Sequence, residues 1–475
     1  MPTDLPHLAP FSILSIELFE RPVQLRLPFR FGIATVRACP QAFARVTIET
    51  ARGKYATGSA AELMVPKWFD KNPDLSYEQD IDNLRTVTNA AREVYLSDLK
   101  PTSAFGHFAR NYQTHLDVCA RHGYNPLLAG FGQSLIDKAV LDALCRLKEV
   151  SFYKAIRSNI VGIDHSLTAF DSLKFDLNWQ QFLSELKPAK KIHVRHTVGM
   201  IDALTLDEAP GIGDGLPDSL QAAIKAYGHK FFKLKLCGDP LKDIDRLTAI
   251  AQVLDQSPNS YELTLDGNEQ FTELAPLEAL MNQIRSTPAL KRLWDSTLFI
   301  EQPLARNIAF DQVVNTRAIG KPIIADESDG LLDSFVHARQ AGYNGISSKA
   351  CKGLYKSLLN KARSKVWGNS YFMSAEDLTT QAGLAVQQDL ALVNILGITH
   401  VERNGHHYVD GFGLASSQEQ MRFAKAHPDL YTVNNGRAHL RIDQGQATIH
   451  SLGCIGFASR ALPEFDSMQM MRGTW

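Results

Sequence analysis

The sequence predicts an α/β protein: a modified (β/α) TIM barrel behind an N-terminal α+β capping domain. Three observations predict it. The first is a series of short apolar runs that each end in ionisable residues: Phe231-Phe232-Lys233-Leu234-Lys235-Leu236, Leu263-Thr264-Leu265-Asp266-Gly267-Asn268, Leu298-Phe299-Ile300-Glu301-Gln302-Pro303, Pro322-Ile323-Ile324-Ala325-Asp326-Glu327-Ser328 and Gly345-Ile346-Ser347-Ser348-Lys349. The second is their spacing, which leaves room for a strand, a helix and two loops, about 30 residues per crossover. The third is the preceding region, which reads as hairpins followed by helices, a module of a different kind.

In chain order, residues 1–10 form a Pro-containing tail. From Phe11 to Gly58 apolar and polar residues alternate as in β hairpins, with Arg52-Gly53 as a turn and Phe29-Arg30-Phe31-Gly32 between the strands. Residues 75–150 read as helices, with Leu135 to Leu144 apolar on one face. Residues 101–125 show little periodicity and stay unassigned as an insertion. Ile192 to Val198 is the first barrel strand, and residues 205–217, rich in Gly, Pro and Asp, are a loop. Asp218 to Tyr227 is a helix stopped by Gly228. The next helix starts at Asp239 as N-cap with Pro240 behind it. Helices near 331–341, 354–366 and 380–396 follow later strands, and Tyr371 to Ser374 and Ile398 to Asn404 are strands seven and eight. Helical residues run to about 427, and 439–449 looks like a hairpin. The domain boundaries follow: 1–150 for the cap, 151–420 for the barrel and 421–475 for a C-terminal segment.

The 475 residues suffice for two or three domains with large cores. With 44% hydrophobic and 21% charged residues, the composition is that of a soluble globular protein. A net charge of −1 gives no electrostatic footprint for nucleic acid. The six cysteines, among them Cys237 and Cys351, form no C-x-x-C pair, so zinc knuckles and a disulfide framework are not indicated. Reduced thiols fit a cytoplasmic location. The N-terminus lacks the basic start and apolar core of a signal peptide, and no run of about 18 apolar residues offers a membrane span.

Carboxylates at the C-terminal ends of successive parallel strands converge at one mouth of a βα barrel. Three of them make an oxygen-rich site for a hard divalent cation, Mg²⁺, with Mn²⁺ as a substitute. Lysines beside such a cation, in partly dry surroundings, are expected to have lowered pKa values and to serve as bases. Lys233 and Lys235 leave one strand on the same side. Taken singly, an acid after an apolar run is more often a helix cap, and Lys-x-Lys more often an exposed strand end.

Taken in order, Lys-x-Lys, Asp-Gly-Asn, Glu-Gln-Pro, Asp-Glu-Ser and Ser-Lys-x-x-Lys-Gly resemble the enolase superfamily, in the muconate-lactonizing-enzyme-like subgroup of the mandelate racemase/muconate lactonizing enzyme family. The resemblance implies Asp266, Glu301 and Asp326 as metal ligands at the ends of strands three to five. It implies Lys235 as base on one face of a small carboxylate substrate, with Lys233 beside it, and Lys349 as acid/base or cation on the other face. Asn268 and Glu327 would orient ligands or pair with a lysine. It places a mobile capping loop at Phe29, Arg30 and Phe31, a second at Thr57 to Glu62, and a C-terminal segment that returns to the cap. Ser374, Glu376 and Asp377 would line the pocket, Arg403 would bind a distal anion, and Glu402 keeps an amine-bearing substrate open. His406 and His407 read as loop histidines, and Cys237 and Cys351 as packing. Two departures matter. No histidine stands at strand seven, which argues against a sugar-acid dehydratase. Glu402-Arg403-Asn404 stands where dipeptide epimerases carry Asp-x-Asp.

The expected activity is Mg²⁺-dependent removal of the α-proton of a carboxylate, with racemisation or epimerisation preferred. Syn-dehydration of the o-succinylbenzoate synthase type and cycloisomerisation are the alternatives, and a catalytically silent barrel used for binding is the alternative of another class. Neither a nucleic acid nor a membrane is expected as partner. Homo-oligomers are common in the resembled family.

Overall fold

The computed structural model describes residues 10–164, 177–257, 260–378 and 380–473. The chain begins with a long antiparallel hairpin of β1 (Phe11–Phe31) and β2 (Ala34–Thr50), extended by β3 (Tyr55–Leu63). Three helices follow: α1 (Tyr77–Ser97), α2 (Ala104–Arg121) and α3 (Pro126–Leu147). Ser76 and Gln79 close a capping box at the start of α1. The Asn125 side chain caps α3, with Pro126 in the first turn. Close approach of α3 to β3 depends on Gly58: a Cβ there would lie 2.1 Å from the Ala143 nitrogen, and backbone cannot yield.

α3 is buried almost all round, so its polar residues need partners. Lys138 donates to Glu62 at 2.9 Å and to the Ala61 carbonyl at 3.0 Å. Asp142 accepts from the Ser59 and Phe457 amides. Helix α2 fills the stretch without assignment. Its inner face carries His107, Asn111 and His115 beside Phe108 and Leu116, so the buried stripe is partly polar and gives no clean apolar period.

Eight parallel strands then form a nearly closed barrel: β4 (Lys191–Val198), β5 (Phe231–Lys235), β6 (Glu262–Asp266), β7 (Thr297–Glu301), β8 (Ile323–Ala325), β9 (Gly345–Ser348), β10 (Phe372–Ala375) and β11 (His400–Arg403). β11 pairs with β4, which brings the last strand beside the first. The pleat sorts their side chains with period two. Leu234, Leu263, Leu265, Ile300, Ile323 and Ile346 face outward into a core shared with Leu247, Ile250 and Leu254 of the helix Pro240–Asp255. The inward set is polar: Arg195, Lys233, Lys235, Asp266 and Glu301, joined by Lys349 and Glu376 just past β9 and β10. Outward burial stabilises the barrel at roughly 25 cal/mol per Å² of apolar surface. The interior is held by ion pairs and does something else.

At the C-terminal end the segment returns to the cap as expected, and the structure adds a hairpin that the alternation alone does not mark. Within 439–449, Asp443 and Gln446 bridge antiparallel across a Gln444-Gly445 turn, as expected, and a longer hairpin lies just before it. This longer hairpin consists of β12 (Tyr431–Asn434) and β13 (Arg437–Leu440), joined by Asn435-Gly436, both with positive φ, at 50° and 75°. An Asn-Gly pair is the usual two-residue hairpin turn. β14 (Gln446–Thr448) leaves this hairpin and pairs antiparallel with β4. β15 (Gln469–Met470) runs back to the cap sheet, against Phe19 and Glu20. No helix among the described residues is long and apolar enough to cross a membrane.

Candidate active site

The C-terminal mouth of the barrel holds the ionisable ends of β5 to β11. Lys233 Nζ sits at the centre, 2.8 Å from Asp266 Oδ2, 2.8 Å from Glu301 Oε2 and 3.2 Å from Glu402 Oε2, and it donates to Glu376. Lys235 donates to the same Asp266 oxygen at 2.6 Å. Lys349 lies between Asp326 Oδ2 at 2.9 Å and Glu376 Oε2 at 2.7 Å, with its ammonium 5.2 Å above the Trp68 ring. Lys352 donates to Asp326 Oδ1 at 3.0 Å. Arg195 of β4 reaches past β11 to Glu376 Oε1 at 3.1 Å and Ser374 Oγ at 3.1 Å.

These groups are buried, and their charge states follow from the contest between burial and partners. Burial alone would discharge Lys233, yet Asp266, Glu301, Glu376 and Glu402 hold its ammonium well above the usual lysine range. Lys349 is held high in the same way by Asp326 and Glu376. The expectation of a lowered pKa therefore fails for Lys233 in this structure, where carboxylates outnumber it. On Asp266, burial is outweighed by Lys233 and Lys235, and the carboxyl is pulled down to about 2. Glu301 moves the other way, pushed well up by burial and by the Glu376 charge beside it.

A divalent cation fits this donor set. Both oxygens of Glu301 lack a hydrogen bond, although the Lys233 ammonium is near. Single oxygens of Asp266, Glu301 and Glu376 lie within 4.8 Å of one another, and every donor is a hard carboxylate oxygen. Of the three expected ligands, Asp266 and Glu301 belong to this set. Asp326 stands across the Lys349 ammonium from Glu376. It lines the cavity at the mouth, and Glu376 does not.

The cavity is small, about 20 Å³, and is walled by Phe29, Phe31, Val65, Trp68 and Leu378 opposite Lys235, Asp326 and Lys349. Such a volume holds about one water and no organic acid, so substrate entry requires the cap to move. Phe29 and Phe31 face inward at the end of β1, with their rings 5.3 Å apart and Phe29 4.4 Å from Tyr408. Strand alternation turns Arg30 between them outward to solvent, so it does not reach the site. Thr57 to Glu62 is strand β3, not a loop. The segment after it, Val65 to Lys71, is what meets the barrel. Lys71 donates to the Asn268 carbonyl at 2.8 Å and pairs with Glu269, while Arg306 clasps the Trp68 and Phe69 carbonyls.

Asn268 donates to Glu327 Oε1 at 3.2 Å and its amide to Asp266 Oδ1 at 2.8 Å, so it orients the Asp266 carboxylate. Glu327, beneath it, is raised to about 7 by burial. Arg403 is turned away. Asp389 and Asp377 engage it, so it is not presented to a distal anion. Its neighbours Glu402 and Asn404 line the cavity instead. Cys237 and Cys351 are free thiols packed outside the site. Arg195 projects from mid-strand, where no local pattern in the sequence marks it. Only its inward register, two residues before Thr197, places it under Glu376.

The assembly is thus a capped βα barrel whose mouth carries lysines on opposite strands around a carboxylate cluster. Residues 215–353 match the enolase C-terminal domain-like family. No curated protein matches the sequence. Among solved structures, a mandelate racemase/muconate lactonizing protein from Herpetosiphon aurantiacus is 18% identical with a TM-score of 0.61, over 95% of this chain and 99% of that one. An enolase from Bradyrhizobium complexed with magnesium and mandelic acid is 15% identical with a TM-score of 0.59, over 92% and 93%. The L-Ala-D/L-Glu epimerase from Bacillus subtilis is 14% identical with a TM-score of 0.58, over 95% and 99%. The fold is that of the mandelate racemase and muconate lactonizing enzymes of the enolase superfamily.

Proposed function

We propose that this protein removes the α-proton of a carboxylic acid in a Mg²⁺-dependent reaction, with racemisation or epimerisation as the outcome. The observation that carries the reading is the placement of Lys235 and Lys349. They follow the second and sixth strands of an eight-stranded ring and line one cavity together with Asp266 and Asp326. Amines on opposite sides of one carbon are what 1,1-proton transfer needs.

Asp266, Glu301 and Asp326 would hold Mg²⁺, or Mn²⁺ in its place. When bound, the cation would draw charge from the substrate carboxylate and stabilise the negative charge that grows as the proton leaves. Lys235 Nζ, as the free amine, takes the proton from one face. Lys349 Nζ delivers one to the other face. Lys233, held cationic by Glu376 and Glu402, contributes a fixed positive charge below the reacting carbon. Phe29, Phe31, Trp68 and Leu378 exclude water and select a substrate whose far end is apolar.

The clasp of Asp326 and Glu376 on Lys349, at 2.9 and 2.7 Å, favours a second reading. If Lys349 stays an ammonium throughout, Lys235 alone exchanges the proton, and syn-dehydration or cycloisomerisation follows. Proton NMR in D₂O with a panel of α-hydrogen carboxylic acids bearing apolar substituents tests both. The expected result is Mg²⁺-dependent exchange that disappears in Lys235→Ala. Loss of optical activity that requires Lys349 supports the first reading, and loss of water or ring closure supports the second. No exchange with any acid, and no effect of Lys235→Ala, would overturn both.

A further inference from the structure

We infer that His196, His229 and His406 form a zinc(II) site that pins together the first, second and eighth strands of the barrel. His196 lies on the outward face of β4, His229 two residues before β5, and His406 in the turn of helix Gly405–Tyr408 that follows β11. The site lies outside the barrel interior and shares no residue with the lysine–carboxylate cluster.

The geometry is that of ligands on one ion. One nitrogen from each ring lies within 4.8 Å of the other two. Nδ1 of His196 and Nε2 of His406 are 3.3 Å apart. The ring centres are 4.9 Å apart for His196 and His229, 5.4 Å for His196 and His406, and 5.3 Å for His229 and His406. Two imidazoles on a tetrahedral ion, with metal–nitrogen lengths of about 2.05 Å, place their nitrogens about 3.3 Å and their ring centres about 5 Å apart. All three separations fall near that value.

Hydrogen bonding does not account for the cluster. A single N–H···N bond between His196 and His406 satisfies two nitrogens. Nδ1 of His406 and Nδ1 of neighbouring His407 make no hydrogen bond. His229 is 1% exposed and, among the described residues, has the Val194 carbonyl near it but no well-formed hydrogen bond at either nitrogen. Native interiors rarely leave so many polar atoms unanswered in one place. Burial favours the neutral imidazole, the form that ligates. Nitrogen donors without thiolate or carboxylate suit zinc and its neighbours in the transition series and not Mg²⁺. The nearby cations Arg26 and Arg403 are each paired with a carboxylate, Asp214 and Asp389, which removes most of their field. Asp202 Oδ2, 3.9 Å from Nε2 of His407, adds negative charge on the same side.

The site would be structural. It lies at the seam where β11 joins β4, and it fixes the segments that lead to Lys233 and away from Asn404. The full chain, stripped with a chelator and titrated with Co²⁺ alone, tests it. The expected result is one tetrahedral Co²⁺ per chain, told by its intense visible band from any Co²⁺ held by the carboxylates at the barrel mouth, displaced by Zn²⁺, kept in Asp266→Asn and lost in His229→Phe. Zn²⁺ is expected to raise the melting temperature of the wild type and not of His406→Gln. Because His229→Phe replaces a buried residue, X-ray absorption on the zinc-loaded wild type gives an independent readout: about three imidazole nitrogens at about 2.0 Å. No band, a band that survives His229→Phe but not Asp266→Asn, or zinc surrounded by oxygen alone would overturn the proposal.

Discussion

Glu376 and Lys349 meet at 2.7 Å just past the ends of adjacent strands, and the same Glu376 carboxylate also takes Lys233 and Arg195. One buried acid thus answers three buried cations, and they hold it well below the usual carboxylate range despite its burial. Glu376→Gln leaves those cations undercompensated. Breaking a buried pair from one side costs about 3 to 5 kcal/mol, so a large drop in the urea midpoint is expected. Mg²⁺ affinity by calorimetry should fall by about 10- to 100-fold and not vanish, because Asp266, Glu301 and Asp326 remain. Asp266→Asn should abolish Mg²⁺ binding. The reverse pattern would make Glu376 the ligand and Asp326 a bystander.

Lys233 is the counter-charge at the centre of four carboxylates, and a divalent ion would take over that task. Lys233→Met is expected to destabilise the metal-free chain by about 3 to 5 kcal/mol. Saturating Mg²⁺ should restore much of the loss, since a ligand bound only to the folded state adds stability by mass action. Thermal melts of both forms with and without 10-fold steps in Mg²⁺ check this. Rescue no greater than the wild-type response would argue that the ammonium and the cation occupy separate places.

Phe29 closes the mouth through its contacts with Tyr408 and Phe31. Phe29→Ala opens that wall, opposite the lysines and carboxylates, and removes no ionisable group. KM is expected to rise at least about tenfold with a smaller change in kcat, the signature of lost binding common to ground and transition state. Stability should fall by about 3 to 5 kcal/mol as for other buried Phe→Ala changes, and Phe29→Leu should recover most of both.

What could be read from the sequence depended on how locally each feature is encoded. Asp266, Glu301 and Lys349 announce themselves because each follows its own apolar run, and strand geometry then brings them together. Asp239 and Pro240 announce a helix start for the same reason, and Asp239 accepts from the Leu241 and Lys242 amides. Arg195 and the three clustered histidines carry no local mark. Their meaning comes from which face of a strand meets which neighbour, a register that only the closed barrel fixes. Helix α2 lacks a clean period because part of its buried stripe is polar, and the turn at Asn435-Gly436 sits between strands of four residues each, too short to show alternation.

The cap carries its own pH dependence. Asp137 of α3 is buried and accepts from the Tyr95 hydroxyl at 2.7 Å. Burial outweighs that hydrogen bond and raises its carboxyl well above the ordinary value. The folded state therefore binds the proton more tightly than the unfolded chain. The contribution is fully present below about pH 4, the unfolded pKa, and is lost as pH rises towards the folded value, by at most about 1.4 kcal/mol per pH unit. Asp137→Asn keeps an oxygen for Tyr95 and removes the titration. Urea midpoints measured from about pH 5 to about pH 8 should decline more steeply for wild type than for the variant, so the gap between them widens with pH. Parallel curves would mean that Asp137 stays ionised in the folded cap, stabilised by Tyr95 after all.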